Sequence, residues 1–318
     1  MNNKNQLATT TGTGVVLKNA SKSLKITNKL LGEVDEFRKD WHWWLNLPYK
    51  WKEQLIISSF NFEAQNLNWD DKSAMYKYVK SISKICDLNL SNRLPVINSD
   101  YSDITPIAHL KQLETLHLTY NMIESLEPIG NLINLRNLSL GFIQESDFSV
   151  IKHLIKLKKL DLHDNPLNDI SFLINLSELK HLDLSFCEID NIEALKDLSN
   201  LNYLDLTENF ISEFPFSMKL RSLEELHLSI NLIENGENLG NLSNLKLLAI
   251  SSNKISDISF IKKLTNLTSL YVSNNPIVDV HCIGSLKKLE KLDISNTYYD
   301  SESIQFLKEQ LPNCEIIF

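Results

Sequence analysis

Aliphatic residues recur at a fixed spacing through most of the chain. The segment that begins at Leu201 has leucine at positions 201, 204 and 206, followed by Asn209 and Ile211. The same frame returns 22 residues further on, at Leu223, and it runs without a break from Leu113 to the C-terminus. A period of this length is typical of solenoids, in which each repeat forms one coil stacked on its neighbours.

Each repeat combines a short alternating segment with a less regular one. Leu204 and Leu206 flank a polar residue, and this spacing places both leucines on one face of a strand. Stacked coils bring such strands side by side, so we expect them to pair as a parallel sheet. Residues such as Ile258 and Ile261, in the second half of the coil, are expected to close the far side of the core. An earlier and longer coil begins at Ile85.

An asparagine follows the strand in most repeats. Its side-chain amide can donate to backbone carbonyls as the chain turns, and burying the amide without partners would cost about 1–3 kcal/mol. In two repeats Ile143 and Cys187 stand at this position instead. We therefore expect a buried structural ladder formed by Asn121, Asn165, Asn209, Asn231, Asn253 and Asn275.

The N-terminal part of the chain lies outside the repeat pattern. All five tryptophans precede the first coil, and Pro48 and Asp71 are suitable residues for helix starts. We predict a helical cap over residues 28–84 that covers one end of the repeat core. Residues 1–27 are polar and are expected to be flexible, with a docking segment that orders on a partner as the alternative.

The C-terminal residues predict a second, shorter cap. Ser301–Gln310 has a helical pattern, and Cys314–Phe318 can add a final edge strand. This cap begins at about residue 298 and belongs to a repeat domain over residues 85–318. The open edge of its last strand is a possible site of self-association.

The spacing LxxLxLxxNxI resembles the leucine-rich-repeat family, in its short class typified by bacterial internalins and phosphatase-regulatory proteins. The resemblance extends over roughly Ile85–Phe318. It implies an α/β solenoid, a curved right-handed coil with a parallel β-sheet on the concave face. It also implies a function as an interaction module, because members of this family hold proteins or peptides on that face.

The composition and net charge of the chain limit the kinds of partner and the cellular location that we expect. The formal net charge is −8, which disfavours nucleic acid and anionic membranes, and no apolar run is long enough to cross a bilayer. The four cysteines form no CxxC pair, so neither a metal nor a redox site is expected from them. The N-terminus has no apolar secretory segment, and we expect a cytoplasmic protein, with secretion that needs no cleaved signal as the alternative. The asparagine, lysine and isoleucine content favours a bacterial source.

Side chains between the buried leucines are expected to point away from the core in columns spaced by about 4.8 Å. Phe142, Phe186 and Ile230 have no folding reason to occupy such positions, and apolar anchors surrounded by charge are typical of interfaces. We therefore predict a protein-binding surface over the middle coils. The candidate residues are His117, Tyr120, Phe142, Asp161, His163, His181, Asp183, Phe186, Tyr203, Asp205, Glu208, His227, Ile230 and Tyr271.

Three of these residues, Asp161, Asp183 and Asp205, form a ladder of carboxylates about 5 Å apart. Adjacent charges at this distance repel by roughly 1 kcal/mol in a medium of high dielectric constant. A partner cation, Lys159 with His163, or a metal ion could compensate. We expect no metal and no cofactor, because a solvated aspartate is common at this position of such repeats, although a metal site remains geometrically possible.

The sequence contains no nucleophile–base pair, phosphate loop or HExxH motif, so we predict a scaffold without catalysis of its own. The alternative roles are a regulatory subunit and a secreted bacterial effector, each acting on an enzyme or host protein in trans.

Overall fold

The computed structural model describes residues 11–60, 68–91, 101–143 and 147–318. The chain divides into two compact units, Met1–Ser83 and Lys84–Phe318. None of the helices in the described ranges is both long and apolar enough to span a bilayer.

The first unit contains three helices, α1 over Thr11–Asn46, α2 over Tyr49–Phe60 and α3 over Lys72–Ile82. Helix α1 therefore extends into the segment 1–27 that was predicted to be flexible. No proline interrupts residues 11–46, and adding a residue to an existing helix costs far less than starting a new one. Residues 1–10 lie outside the described part of the chain.

The helix starts expected in this unit are confirmed. Asp71 caps α3 by accepting a hydrogen bond from the amide of Ala74 (3.1 Å), and the Pro48 carbonyl accepts one from Lys52 (3.2 Å). Trp44 and Trp51 are buried within the unit, together with Leu55, Ile56, Met75 and Val79. Its role as a cap on the repeats stays a prediction.

The second unit is built from coils that each contribute one strand. In the described residues eleven strands form one parallel sheet whose order follows the sequence. They are β1 (Asp87–Asn89), β2 (Thr115–His117), β3 (Asn137–Ser139), β4 (Lys159–Asp161), β5 (His181–Asp183), β6 (Tyr203–Asp205), β7 (Glu225–His227), β8 (Leu247–Ala249), β9 (Ser269–Tyr271), β10 (Lys291–Asp293) and β11 (Glu315–Ile317).

The sheet register follows the repeat period. From β2 to β10, each strand residue pairs with the residue 22 positions further on in the next strand. The offset is 28 residues between β1 and β2 and 24 residues between β10 and β11. Leu204 is aligned with Leu182 and Leu226, and all three are buried. Short 3-10 helices close the opposite side of most coils: Thr105–His109, Glu127–Ile129, Ser149–His153, Ser171–Leu173, Glu193–Leu195, Glu237–Asn241, Ser259–Lys263 and His281–Ser285. The predicted C-terminal helix is confirmed as α4, over Ser301–Gln310.

The asparagine column is buried and bonds in two directions. Asn209 Nδ2 donates to the carbonyls of Leu184 (2.9 Å) and Leu206 (3.0 Å). Its Oδ1 also accepts from the amides of Cys187 (3.2 Å) and Ile189 (2.9 Å) in the preceding coil. One side chain therefore satisfies polar backbone atoms of two coils and links them.

Ile143 and Cys187, which replace the asparagine in two coils, leave the path of the backbone unchanged. The thiol of Cys187 lies 3.3 Å from the Leu162 carbonyl and 3.2 Å from that of Ser185, which replaces part of the amide's bonding. The amide of Ile143 donates to Asn165 Oδ1 (3.0 Å), as the equivalent amide of Cys187 donates to Asn209 Oδ1 (3.2 Å). Residues 144–146, which follow Ile143, lie outside the described part of the chain.

Candidate protein-interaction surface

All of the candidate residues lie on strands β2 to β9 or in the turns that follow them, and none is buried. Phe186, Glu208 and Ile230 are exposed, and the others are partly exposed. Because adjacent strands carry residues 22 apart, the structure brings the candidates of β4 to β7 together. Tyr271 lies on β9, separated from them by β8.

Aromatic and imidazole rings stack across neighbouring strands. The His181 and Tyr203 rings are parallel within 11°, with centroids 4.1 Å apart, and Tyr203 lies 5.3 Å from His227. In the turns after β2 and β3, the ring centroids of Tyr120 and Phe142 are 5.3 Å apart. Such contacts fix the orientation of side chains that would otherwise be mobile on a surface.

The three carboxylates of the ladder are held by their own strands. Asp183 Oδ1 accepts from the amide (3.0 Å) and the hydroxyl (2.6 Å) of Ser185. Asp205 Oδ1 accepts from the amide of Thr207 (2.8 Å), and its Oδ2 accepts from the Tyr203 hydroxyl (3.2 Å). These bonds offset part of the mutual repulsion. Burial nevertheless raises the pKa of Asp183, and the carboxylates on either side raise it further.

Asp161 has an imidazole partner in place of a hydroxyl. His163 Nδ1 lies 2.6 Å from Asp161 Oδ1, and the His163 amide donates to the same oxygen (3.2 Å). The hydrogen bond to Asp161 raises the pKa of His163, whereas burial and Lys159 lower the pKa of His181. The pKa values of these two imidazoles, which lie on neighbouring coils, are therefore shifted in opposite directions from the ordinary histidine value.

We expect His163 to titrate above pH 6.5 and His181 below it. The raised pKa makes the His163 contribution to stability complete below pH 6.5, and this contribution is lost as pH rises through the folded-state pKa. The lowered pKa of His181 acts oppositely, so its contribution is complete above pH 6.5 and is lost as pH falls. NMR titration of the imidazole carbons, assigned with His163→Ser and His181→Ala, measures both. Coincident midpoints would contradict the described environments.

The residue before the asparagine has left-handed backbone geometry in every coil from Tyr120 onward. The column with positive φ consists of Tyr120, Phe142, Asp164, Phe186, Glu208, Ile230, Ser252, Asn274 and Asn296, with φ from 51° to 61°. Asparagine, aspartate and glycine adopt this conformation most readily, whereas a β-branched residue is strained there. Ile230, with φ 57° and 49% exposure, combines backbone strain with an apolar side chain directed to solvent.

Replacing Ile230 with Asn is expected to raise the free energy of unfolding by about 1 kcal/mol, because the strain is relieved and little buried surface is lost. The reverse change at the equivalent position, Asn274→Ile, is expected to lower it by a similar amount. Chemical denaturation followed by circular dichroism measures both. Stabilisation by neither change, or by both, would show that backbone strain is not the controlling factor.

Sequence reasoning missed the left-handed column and the close packing around His163. Asp164, Ser252, Asn274 and Asn296, which occupy the same repeat position, were an available signal, because their residue types favour turns. A second signal was Gly141, since a β-carbon there would overlap the ring of His163. The glycine creates the space that this imidazole occupies on the neighbouring coil.

A family model described as leucine-rich repeats in two copies matches residues 155–197, 177–218, 243–280 and 265–309. No curated protein sequence shows significant similarity to the chain.

Several solved structures have a similar fold. Internalin C2 from Listeria monocytogenes is 28% identical with a TM-score of 0.54, and the alignment covers 58% of this chain and 82% of that one. An internalin from the same organism, InlF, is 24% identical with a TM-score of 0.52, covering 76% and 82%. The plant peptide hormone receptor RGFR1 is 23% identical with a TM-score of 0.60, covering 76% of this chain and 40% of the receptor.

Repeat spacing, sheet topology and these similarities agree. Lys84–Phe318 has the leucine-rich-repeat fold, a curved solenoid whose parallel sheet forms the concave face.

Proposed function

We propose that the chain is a scaffold that binds a protein or peptide on the concave face of its repeats and catalyses no reaction itself. The observation that carries the proposal is the exposure of Phe186 and Ile230 at left-handed positions of the surface. Folding gains little from apolar side chains at 47% and 49% exposure, and the backbone conformation costs energy. A partner that covers these side chains would supply the missing stabilisation.

The surroundings of the two anchors are suited to recognition. Asp183, Asp205 and Glu208 place carboxylates beside the apolar groups, so a partner with apolar and basic side chains would be complementary. Ring stacking orders His181 and Tyr203, and internal hydrogen bonds order Asp183 and Asp205, which leaves less entropy to lose on binding. The receptor RGFR1, which has this fold, was solved in complex with RGF2, and this supports the general mode of use.

The two buried cysteines support a non-catalytic scaffold. Cys187 and Cys282 are buried, and burial raises the pKa of their thiols to about 12 and about 11. Thiols with such values are poor nucleophiles near neutral pH. A regulatory subunit and a secreted bacterial effector remain the two specific roles in which this scaffold would act on another protein.

The test compares partner capture by the intact chain with that by Phe186→Ala/Ile230→Ala. The matched control is Phe216→Ala/Val278→Ala, which also removes one aromatic and one aliphatic exposed side chain, outside the concave face. Partners captured by the wild type are then titrated in purified form against all three proteins. We expect the concave-face variant to bind at least tenfold more weakly and the control to bind like the wild type. Equal affinity of all three proteins would refute the proposed surface.

A further inference from the structure

We propose that Asp161, His163 and Asp183 form a binding site for a divalent transition-metal ion such as Zn²⁺. The site lies on adjacent strands β4 and β5 and the turn after β4. The proposal does not depend on a protein partner, because it concerns only the bonding capacity of these three side chains.

Geometry is the first observation. One ligand atom from each of the three residues lies within 4.8 Å of the others. Two ligands on opposite sides of an ion with bonds of about 2.1 Å are about 4.2 Å apart, so small side-chain rotations bring the set into range. Asp161 and His163 are partly exposed, and Asp161 and Asp183 line an open depression of about 340 Å³. An ion can therefore reach the ligands from solvent.

The second observation is that His163 departs from its own repeat. The equivalent positions in other coils carry small hydroxyl residues: Thr119, Ser185, Thr207, Ser229, Ser251, Ser273 and Ser295. Gly141 is the other exception, and it is the residue on which the His163 ring lies. A hydroxyl at position 163 would be sufficient to hold Asp161, as Ser185 holds Asp183. The fold therefore does not require an imidazole at position 163. Gly141 on the preceding coil nevertheless leaves the space that the ring occupies.

Charge and ligand type support the same assignment. Asp183 lies beside Asp161 on the adjacent strand, and it has no ion-pair partner among the described residues. A cation bound between the two carboxylates would remove their repulsion. A set of one imidazole and two carboxylates suits Zn²⁺ and similar transition metals, whereas Ca²⁺ prefers oxygen ligands alone. The identity of His163 thus indicates the class of ion.

A second histidine–aspartate pair provides a matched control. His281 Nδ1 lies 2.9 Å from Asp279 Oδ1, and both residues lie outside the three-ligand cluster. Replacing His281 with Ser removes the same type of pair from a place where no third ligand converges among the described residues.

The experiment is calorimetric titration of the intact, untagged chain with Zn²⁺, repeated with Ca²⁺. We expect one Zn²⁺ per chain and much weaker binding of Ca²⁺. His163→Ser, which restores the residue type of the repeat, and Asp183→Asn are each expected to weaken Zn²⁺ binding at least tenfold. His281→Ser is expected to leave it unchanged. Circular dichroism verifies that all variants are folded, and the absorption spectrum of bound Co²⁺ reports the ligands independently.

Three outcomes would overturn the proposal. The first is the absence of Zn²⁺ binding to the folded wild-type chain. The second is Zn²⁺ binding that His163→Ser leaves intact. The third is equal affinity for Ca²⁺ and Zn²⁺, because this would show an acidic surface without an imidazole ligand. Loss of partner binding in the Phe186→Ala/Ile230→Ala variant affects none of these measurements, so the two proposals fail separately.

Discussion

Replacing Asn209 with Ala is expected to lower the free energy of unfolding by about 3–5 kcal/mol. The change removes the donor to two buried carbonyls, of Leu184 and Leu206, and the acceptor for two buried amides, of Cys187 and Ile189. Each unsatisfied group costs about 1–3 kcal/mol, and partial rearrangement of the turn reduces the sum. Urea denaturation followed by circular dichroism measures the change.

Two further variants separate this effect from a general sensitivity to asparagine. Asn202→Ala removes an exposed amide with one bond, to the Ser222 carbonyl (3.2 Å), and is expected to change stability by less than about 0.5 kcal/mol. Asn209→Cys is expected to recover part of the loss, because Cys187 already occupies the equivalent position. If Asn209→Ala were as mild as Asn202→Ala, the asparagine column would not hold the coils together.

Replacing Phe148 with Ala is expected to lower the free energy of unfolding by about 3–5 kcal/mol. Phe148 is 1% exposed and lies in the second half of its coil, directly before the 3-10 helix. Its ring stacks on that of Phe172, with centroids 6.0 Å apart, and so connects two coils away from the sheet. Removing the ring leaves a cavity between the coils that neighbouring side chains fill only in part.

The control for this variant is Phe216→Ala, because Phe216 is 79% exposed. Its removal is expected to change stability by less than about 0.5 kcal/mol. Equal losses for the two phenylalanines would mean that aromatic content, and not burial between coils, sets the stability of the solenoid.

Much of the fold could be predicted from the sequence because a solenoid uses local rules. The alternation of Leu204 and Leu206 depends on the period of a strand, and the 22-residue spacing fixes which strands pair. The start of α3 at Asp71 and the bounds of α4 follow from capping chemistry and helical pattern. The start of α1 was not predicted, because its polar N-terminal residues carry no apolar period.

The sequence predicts which residues of the candidate surface point outward, but it does not predict their backbone geometry or their hydrogen-bond partners. The direction of each side chain follows from strand alternation, which identified Phe186 and Ile230 as outward residues. The left-handed backbone beneath them arises from the turn geometry, and hydrophobic patterning does not report it. The hydroxyl and imidazole partners of the aspartates depend on residues two positions away, which share the turn with them. Pairwise contacts of this kind depend on the geometry of the turn, which the spacing of apolar residues does not determine.

Because coils of equal length stack in register, equivalent positions along the concave face are separated by whole multiples of the strand spacing. Phe186 and Ile230 are two coils apart, a separation of about 10 Å at the strand spacing of a sheet. Excising the single coil between them would bring the two side chains onto adjacent coils, about 5 Å apart, with the strand register of the remaining coils preserved. Gain or loss of whole repeats therefore changes the distance between two apolar side chains on this face in steps of one strand spacing.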